Sequence, residues 1–231
     1  MFEFVSRMAT FSPETFNSGT YRSHRERQRR RILTASQELF DVRGIDRVTV
    51  AEIVSTAGIR ASTLYEYFSN KDEIVWALVE DVMASGSDHA IRAMDSVRGP
   101  VLAKIGALFR AFEDELTEHP ERVRFMAQFD AMYARDWTVE RLLALEDKII
   151  PGRMDGLADM VREGIADGSL RPDLDPDLTM HSILNAVIGA QRRLASLGSR
   201  VEEEYGQPIH LLFRESVHII LLGLRSTGIR D

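Results

Sequence analysis

Cysteine is absent from the 231 residues. Disulfides, thiolate nucleophiles and cysteine-ligated metals are therefore excluded. A reducing compartment fits, and the cytoplasm is the expected location. No stretch approaches the run of about 18 apolar residues that a membrane-spanning helix needs. The opening residues, MFEFVSRMATFSPETFNSG, lack the continuous apolar segment of a secretion signal. No alternating apolar and polar pattern of useful length suggests a strand, and no internal repeat is found. Catalytic signatures are missing too: there is no HExxH, no GxSxG and no glycine-rich phosphate loop. Paired acids such as Asp114 and Glu115 fit ordinary solvated faces. His210 and His218 are separated by Arg214, a cation that disfavours a metal between them. The chain is not expected to be an enzyme, and no cofactor or metal is expected.

What is present is helical. Hydrophobic residues make up 44% and charged residues 28%, ordinary for a chain that buries a sizeable core. The net charge is −7, but it is unevenly spread. Residues 1–71 hold 11 Lys+Arg against 8 Asp+Glu, whereas 72–231 hold 18 against 28. A small basic head thus precedes a large acidic body, a division that allows a local footprint on DNA. Six arginines and one glutamate lie between Arg22 and Arg31. Taken alone they are either a solvated face or a phosphate-attracting one.

Residues 1–24 show no clear period and read as a flexible arm. From Glu26 the pattern turns helical, with Ile32, Ala35, Leu39 and Phe40 on one face. Gly44 stops that helix. Thr49 and Glu52 fit a capping box that opens a second helix, whose inner face is Val50, Ile53, Val54 and Ala57. Gly58 makes a turn, and a third helix spans about Arg60 to Tyr67 with Leu64 and Phe68 inward. Ser69 is expected to cap a fourth. Three short helices with a glycine turn form a helix-turn-helix over 25–71. The third helix is short because only its first turns need to enter a major groove. Arg60, Ala61 and Ser62 are then candidates for base contacts, the two small residues allowing close approach. Thr49, Thr63, Tyr65, Tyr67 and Lys71 carry donors suited to phosphate oxygens. A three-helix module that binds protein instead would share much of this pattern.

The string ILTASQELFDVRGIDRVTVAEIVSTAGIRASTLYEYFSNKDEIVWALVE narrows the choice. It resembles the N-terminal domain of TetR/AcrR-type transcriptional regulators. The matching parts are Phe40 with Gly44, Thr49 to Ile53, Ala57-Gly58-Ile59, Thr63-Leu64-Tyr65, Tyr67-Phe68 and Lys71 to Glu73. The resemblance implies phosphate contacts at Thr49, Tyr65, Tyr67 and Lys71, and base contacts early in the third helix. Arg60 departs from the pattern, since that family usually has a small capping residue there. The resemblance also implies that 72–231 form a helical effector-binding and dimerisation domain, making the whole chain all-α.

The body's own residues agree with helices. Pro100, Pro120 and the Pro151-Gly152 pair punctuate apolar-periodic segments. Asp175 is a candidate N-cap with Pro176 at the first helical position. The last two helices are expected at Leu178–Leu197 and Ile209–Leu224. The latter is apolar nearly all round, so it must bury two faces. Either it is a central core helix, or its second face meets another copy of the chain. Candidate effector-pocket residues are Phe109, Phe112, Phe125, Met126, Phe129 and Tyr133. Trp137 and Met154 extend that set, and His181 and Asn185, with Arg124, are possible polar anchors. An aromatic and methionine stripe also suits plain core. The expected function is a repressor that binds a palindromic operator as a homodimer and is released by an apolar small molecule. A helical small-molecule carrier without DNA binding is the alternative.

Overall fold

The computed structural model of the chain describes residues 13–151 and 153–227, the side chains of 13–22 and 153–155 excepted. Among the described residues there are eleven α-helices and no strand, with one isolated bridge between Leu170 and Arg225. The head comprises α1 (Pro13–Arg43), a 3-10 turn (Ile45–Arg47), α2 (Val50–Ala57) and α3 (Ala61–Tyr65). The long α4 (Lys71–Asp95) leads into α5 (Val101–Glu118), α6 (Pro120–Asp136), α7 (Val139–Ile149) and α8 (Arg153–Ala166). The chain then forms α9 (Pro176–Leu197), α10 (Ser199–Tyr205) and α11 (Ile209–Leu224).

The breaks occur where local chemistry requires them. Gly44 leaves the helix at φ +87, and its N–H still closes on the Phe40 carbonyl at 2.9 Å. Gly58 takes the left-handed conformation at φ +61, which costs a residue with a Cβ but not glycine. Asp175 caps α9 by accepting from the Leu178 N–H, and Pro176 occupies the first turn. Two expectations need correction. Residues 13–24, expected to belong to an arm, form the start of α1, while 1–12 lie outside the described residues. A helix without a regular apolar face leaves no period in the sequence, so periodicity alone could not reveal it. The cap of α4 is Asn70 rather than Ser69. The Asn70 side-chain oxygen reaches the Glu73 N–H at 3.0 Å, the reach that a cap requires.

Two hydrophobic cores result, and α6 belongs to both. The first joins Ile32, Phe40, Ile53, Leu64 and Phe68 of the head to Ile74 and Trp76 of α4 and to Phe125, Phe129 and Met132 of α6. The second gathers Ile105 and Phe109 of α5, Val123 of α6, Val161 of α8, Val187 of α9 and Phe213 of α11. Phe40 stacks on Phe125 with ring centres 6.2 Å apart, and Trp76 meets Phe129 edge-on at 5.2 Å. Polar contacts reinforce this seam. Arg124 donates twice to Asp41, at 2.7 and 2.8 Å. Gln128 accepts from the Ile45 N–H at 2.8 Å and donates to the Phe40 carbonyl at 3.2 Å. The backbone groups exposed where α1 ends are thus satisfied by α6.

The head core therefore continues past residue 71 into α4 and α6. Because Phe125 is fully buried in that shared core, Phe125→Ala is expected to destabilise the chain by about 3–5 kcal/mol. Leu211→Ser, on an exposed face, should stay within about 0.5 kcal/mol in the monomeric chain. Urea unfolding at low protein concentration measures both.

Candidate nucleic-acid interface

The short α3 is held by Leu64 within it and Phe68 just after it. Leu64 is fully buried and Phe68 nearly so. Arg60, Ala61, Ser62, Tyr65 and Glu66 are exposed, Tyr65 by 56%. Arg60 is the N-cap residue of α3 in extended conformation, and its side chain makes no capping bond. Its guanidinium is free of any partner among the described residues and points the basic charge outward from the turn. The structure therefore brings together the three residues expected to contact bases on one solvent-facing edge. Thr63 is half-buried beside them.

The residues expected to contact phosphates surround that edge, but two of them are already engaged. The Thr49 hydroxyl donates to the Glu52 carboxylate at 2.8 Å and accepts from the Glu52 N–H at 3.3 Å. The Thr49 N–H donates to the same carboxylate at 2.8 Å, completing the capping box. Arg43 of α1 pairs with Glu52 as well. The Thr49 N–H, the Arg43 guanidinium and the Thr49 hydroxyl together hold the Glu52 carboxyl well down, from 4.5 to about 2. Lys71 is partly buried and donates to the Ile45 carbonyl at 2.9 Å and the Val48 carbonyl at 3.1 Å. It ties the 3-10 turn to the start of α4 and keeps one N–H in reserve. Tyr67 is half-buried, with the Arg25 guanidinium 5.6 Å from its ring centre.

Arg47 was missed by sequence reasoning. It is exposed, has no side-chain partner among the described residues, and stands two positions before Thr49. In sequence it closely precedes the start of α2, and a helix N-terminus favours anions. The signal was available in principle, as a cation immediately before a capping box within a basic head.

The residues expected to line an effector pocket are not brought together. Phe125, Met126 and Phe129 are buried in the first core, with Tyr133 and Trp137 packed against it. Phe109 is buried in the second core, with Phe112 packed on it. Trp137 stacks on Phe129 at 5.4 Å and meets Trp76 at 5.3 Å, leaving its rings filled against neighbours. His181 and Asn185 are exposed on α9, and Arg124 is committed to Asp41. Met154 lies in α8, and its side chain is outside the described residues. Helical periodicity identifies which faces are buried, but not which neighbour covers each one. Two open clefts are present among the described residues. One, of about 480 Å³, lies between α1, α4 and α6 and includes Arg29, Leu33, Leu78, Asp81 and Arg122. Burial there pushes the Asp81 carboxyl above its ordinary range, opposed by Arg29 at 3.9 Å. The other, of about 340 Å³, includes Asp130, Asn185, Gly189 and Arg192 on α6 and α9. No group of side chains able to hold a metal is found among the described residues. None of their helices is long and apolar enough to cross a membrane.

Residues 32–78 match the model for bacterial regulatory proteins of the tetR family. The match covers the helix-turn-helix head and the start of α4. The transcriptional repressor KstR2 of Mycolicibacterium smegmatis is 25% identical over 189 residues, 78% of this chain and 85% of that protein. The regulator TtgR of Pseudomonas putida is 38% identical over 68 residues, 29% of this chain and 32% of its own. The solved structure of KstR2 from Mycobacterium tuberculosis superposes with a TM-score of 0.63 at 24% identity, covering 85% of this chain and 94% of that one. A helix-turn-helix head on a helical body is the fold that this chain shares with that structure.

The depressed Glu52 carboxyl has a measurable consequence. A folded value below the unfolded one contributes stability that is complete above about pH 4.5 and fades as pH falls toward 2. Glu52→Gln keeps a capping side chain but cannot ionise. Wild type should exceed this variant in urea midpoint by a constant amount at neutral pH, and the gap should close toward pH 2. A gap independent of pH would contradict the assignment.

Proposed function

We propose that the protein is a repressor that binds a palindromic operator as a homodimer and is released by an apolar small-molecule effector. The observation that carries the DNA-binding part is the exposed edge Arg60-Ala61-Ser62, set on a fully buried Leu64. Small side chains let α3 approach base edges, Ser62 hydrogen-bonds them, Ala61 suits a thymine methyl, and Arg60 reaches a guanine or a phosphate. Thr63, Tyr65 and Tyr67 donate to phosphates and fix the angle of α3 in the groove. Lys71 adds its remaining N–H. Thr49 contributes by exchanging Glu52 for a phosphate, and Arg47 strengthens that side.

Dimerisation is proposed through α9 and α11, the helices expected to be the last two; the short α10 lies between them. Their outer faces carry Leu178, Leu211, Ile219 and Leu222, exposed by 66, 41, 60 and 53%. Beside them lie Ala186, Gly189 and Gly223, also exposed, which allow helices to approach closely. Exposed apolar residues on two helices that pack together suit a self-complementary two-fold interface.

The effector acts through α6. This helix shares one core with the head and the other with the body, so an apolar molecule wedged into either core beside α6 displaces the head. In a dimer, that changes the spacing of the two α3 helices. DNA and effector then oppose each other with one coupling free energy, read equally from either side.

Selection of duplexes from a random pool tests the DNA reading. A palindrome with half-sites about 34–36 Å apart, or a multiple of that, is expected, whereas failure to enrich any sequence would favour a carrier. On the selected operator, Tyr65→Phe should cost about 1.5–3 kcal/mol of binding, the usual worth of a hydrogen bond to a charged group. The loss should be similar for every bound sequence, because phosphate contacts carry no base information. Ile219→Asp with Leu222→Asp should give a monomer in sedimentation and lose operator binding. A dimer that survives both substitutions would place the interface elsewhere.

A further inference from the structure

We propose that the upstream part of α1, His24–Arg30, is a second DNA-contacting element that grips phosphates flanking the half-site under α3. The inference rests on the duplex-binding reading above. It starts from a mismatch between the length of α1 and its packing. The helix begins at Pro13, yet among its described side chains, from Ser23 onward, the first that is buried is Ile32. Nineteen residues of helix upstream of Ile32 correspond to roughly 28 Å at about 1.5 Å per residue, far more than the head's own core needs.

Three contacts fix where this extension leaves the head. Arg31 donates to the Ala57 carbonyl at 2.8 Å, at the end of α2 and against the Gly58 turn. Arg25 lies over Tyr67 at 5.6 Å, and Arg29 lies over Phe68 at 5.8 Å. The helix therefore emerges between the helix-turn-helix corner and Tyr67, on the edge proposed to face phosphates. The phosphate track bound by Tyr67 continues alongside it.

The chemistry of the segment selects the ligand. Residues 23–31 read SHRERQRRR, with no apolar side chain and a single acid, Glu26. Such a helix has nothing to insert into an apolar groove of a protein partner. The exposed Arg27 has no partner among the described residues, and it shares a face with Arg31 one turn away. Like charges at this spacing disfavour the helix unless an external anion lies beside them. Arg29 of the segment pairs with Asp81 at 3.9 Å, and several arginines of the body, such as Arg124, Arg192 and Arg214, also meet a carboxylate, whereas Arg25 and Arg27 meet none among the described residues. An anionic polymer along the helix is what the unpaired charges fit, and duplex DNA is the one already at that edge.

The test uses the full chain and the operator selected above, in two lengths. One duplex ends at the outer edge of each half-site, and the other extends about 10 base pairs further on both sides. Wild type is expected to bind the longer duplex more tightly and with a steeper dependence on salt. Arg25→Gln combined with Arg27→Gln should lower the salt slope by about 1 per arginine in each subunit and abolish the preference for the longer duplex. Arg27→Gln alone, which removes no contact within the fold, should lose about half of that slope change. Arg98→Gln, in the exposed connection from α4 to α5, should change nothing. Equal affinity of wild type for the two lengths, unchanged slopes in the α1 variants, or the same drop for Arg98→Gln would overturn the inference. Failure of wild type to bind either duplex would instead sink the DNA-binding reading, and this inference with it.

Discussion

The junction between α1 and α6 is the constraint on which the rest of the structure depends. Helix α1 must end abruptly for α2 and α3 to turn back, and an abrupt end exposes carbonyl and N–H groups. Gln128 satisfies two of them, Arg124 grips Asp41 with two hydrogen bonds, and Phe125 stacks on Phe40. A single helix thus supplies apolar cover, backbone satisfaction and an ion pair to the head. The direction in which α3 is presented follows from the placement of α6.

This arrangement explains how a body with its own core can act on a head it does not enclose. The first core runs without interruption from Ile53 of α2 to Phe129 of α6, and Val123, on the same helix, belongs to the second. Close-packed interiors transmit displacement instead of absorbing it. The start of α4 is held from a second side, with Arg141 of α7 over Trp76 at 4.3 Å and bonded to Glu73 at 3.1 Å. Rotation of the head relative to the body therefore requires α6 and α7 to move. The charge distribution adds direction: the head is net basic and carries Arg27, Arg47 and Arg60 without carboxylate partners among the described residues, while the body is net acidic.

Much of the fold was legible because its signals are local. The Thr49–Glu52 box, the left-handed Gly58, the inward pair Leu64 and Phe68, and the Asp175-Pro176 start of α9 each depend on a few neighbouring residues, and each is found as read. The upstream length of α1 was not legible, since apolar periodicity marks only the part of a helix that something covers. The engagement of Thr49 and Lys71 was hidden for another reason: a donor's residue type does not reveal which acceptor the fold places beside it. The division of the pocket set between two cores was hidden in the same way. Phe109 and Phe129 carry the same pattern but lie in different cores, a fact of packing that no spacing along the chain encodes.

The central claim is that two α3 helices are presented together at a separation set through α6 and matched to DNA. The absence of cysteine allows one spin label per chain at the exposed residue that caps the end of α3, by Glu66→Cys. Double electron–electron resonance then reads the distance between the two labels, with and without the selected operator. The account predicts a dipolar signal that narrows on the operator to one distance near a helical turn of DNA, about 34–36 Å, or a multiple of it. No dipolar signal at all, or the same broad distribution with and without DNA, would contradict it.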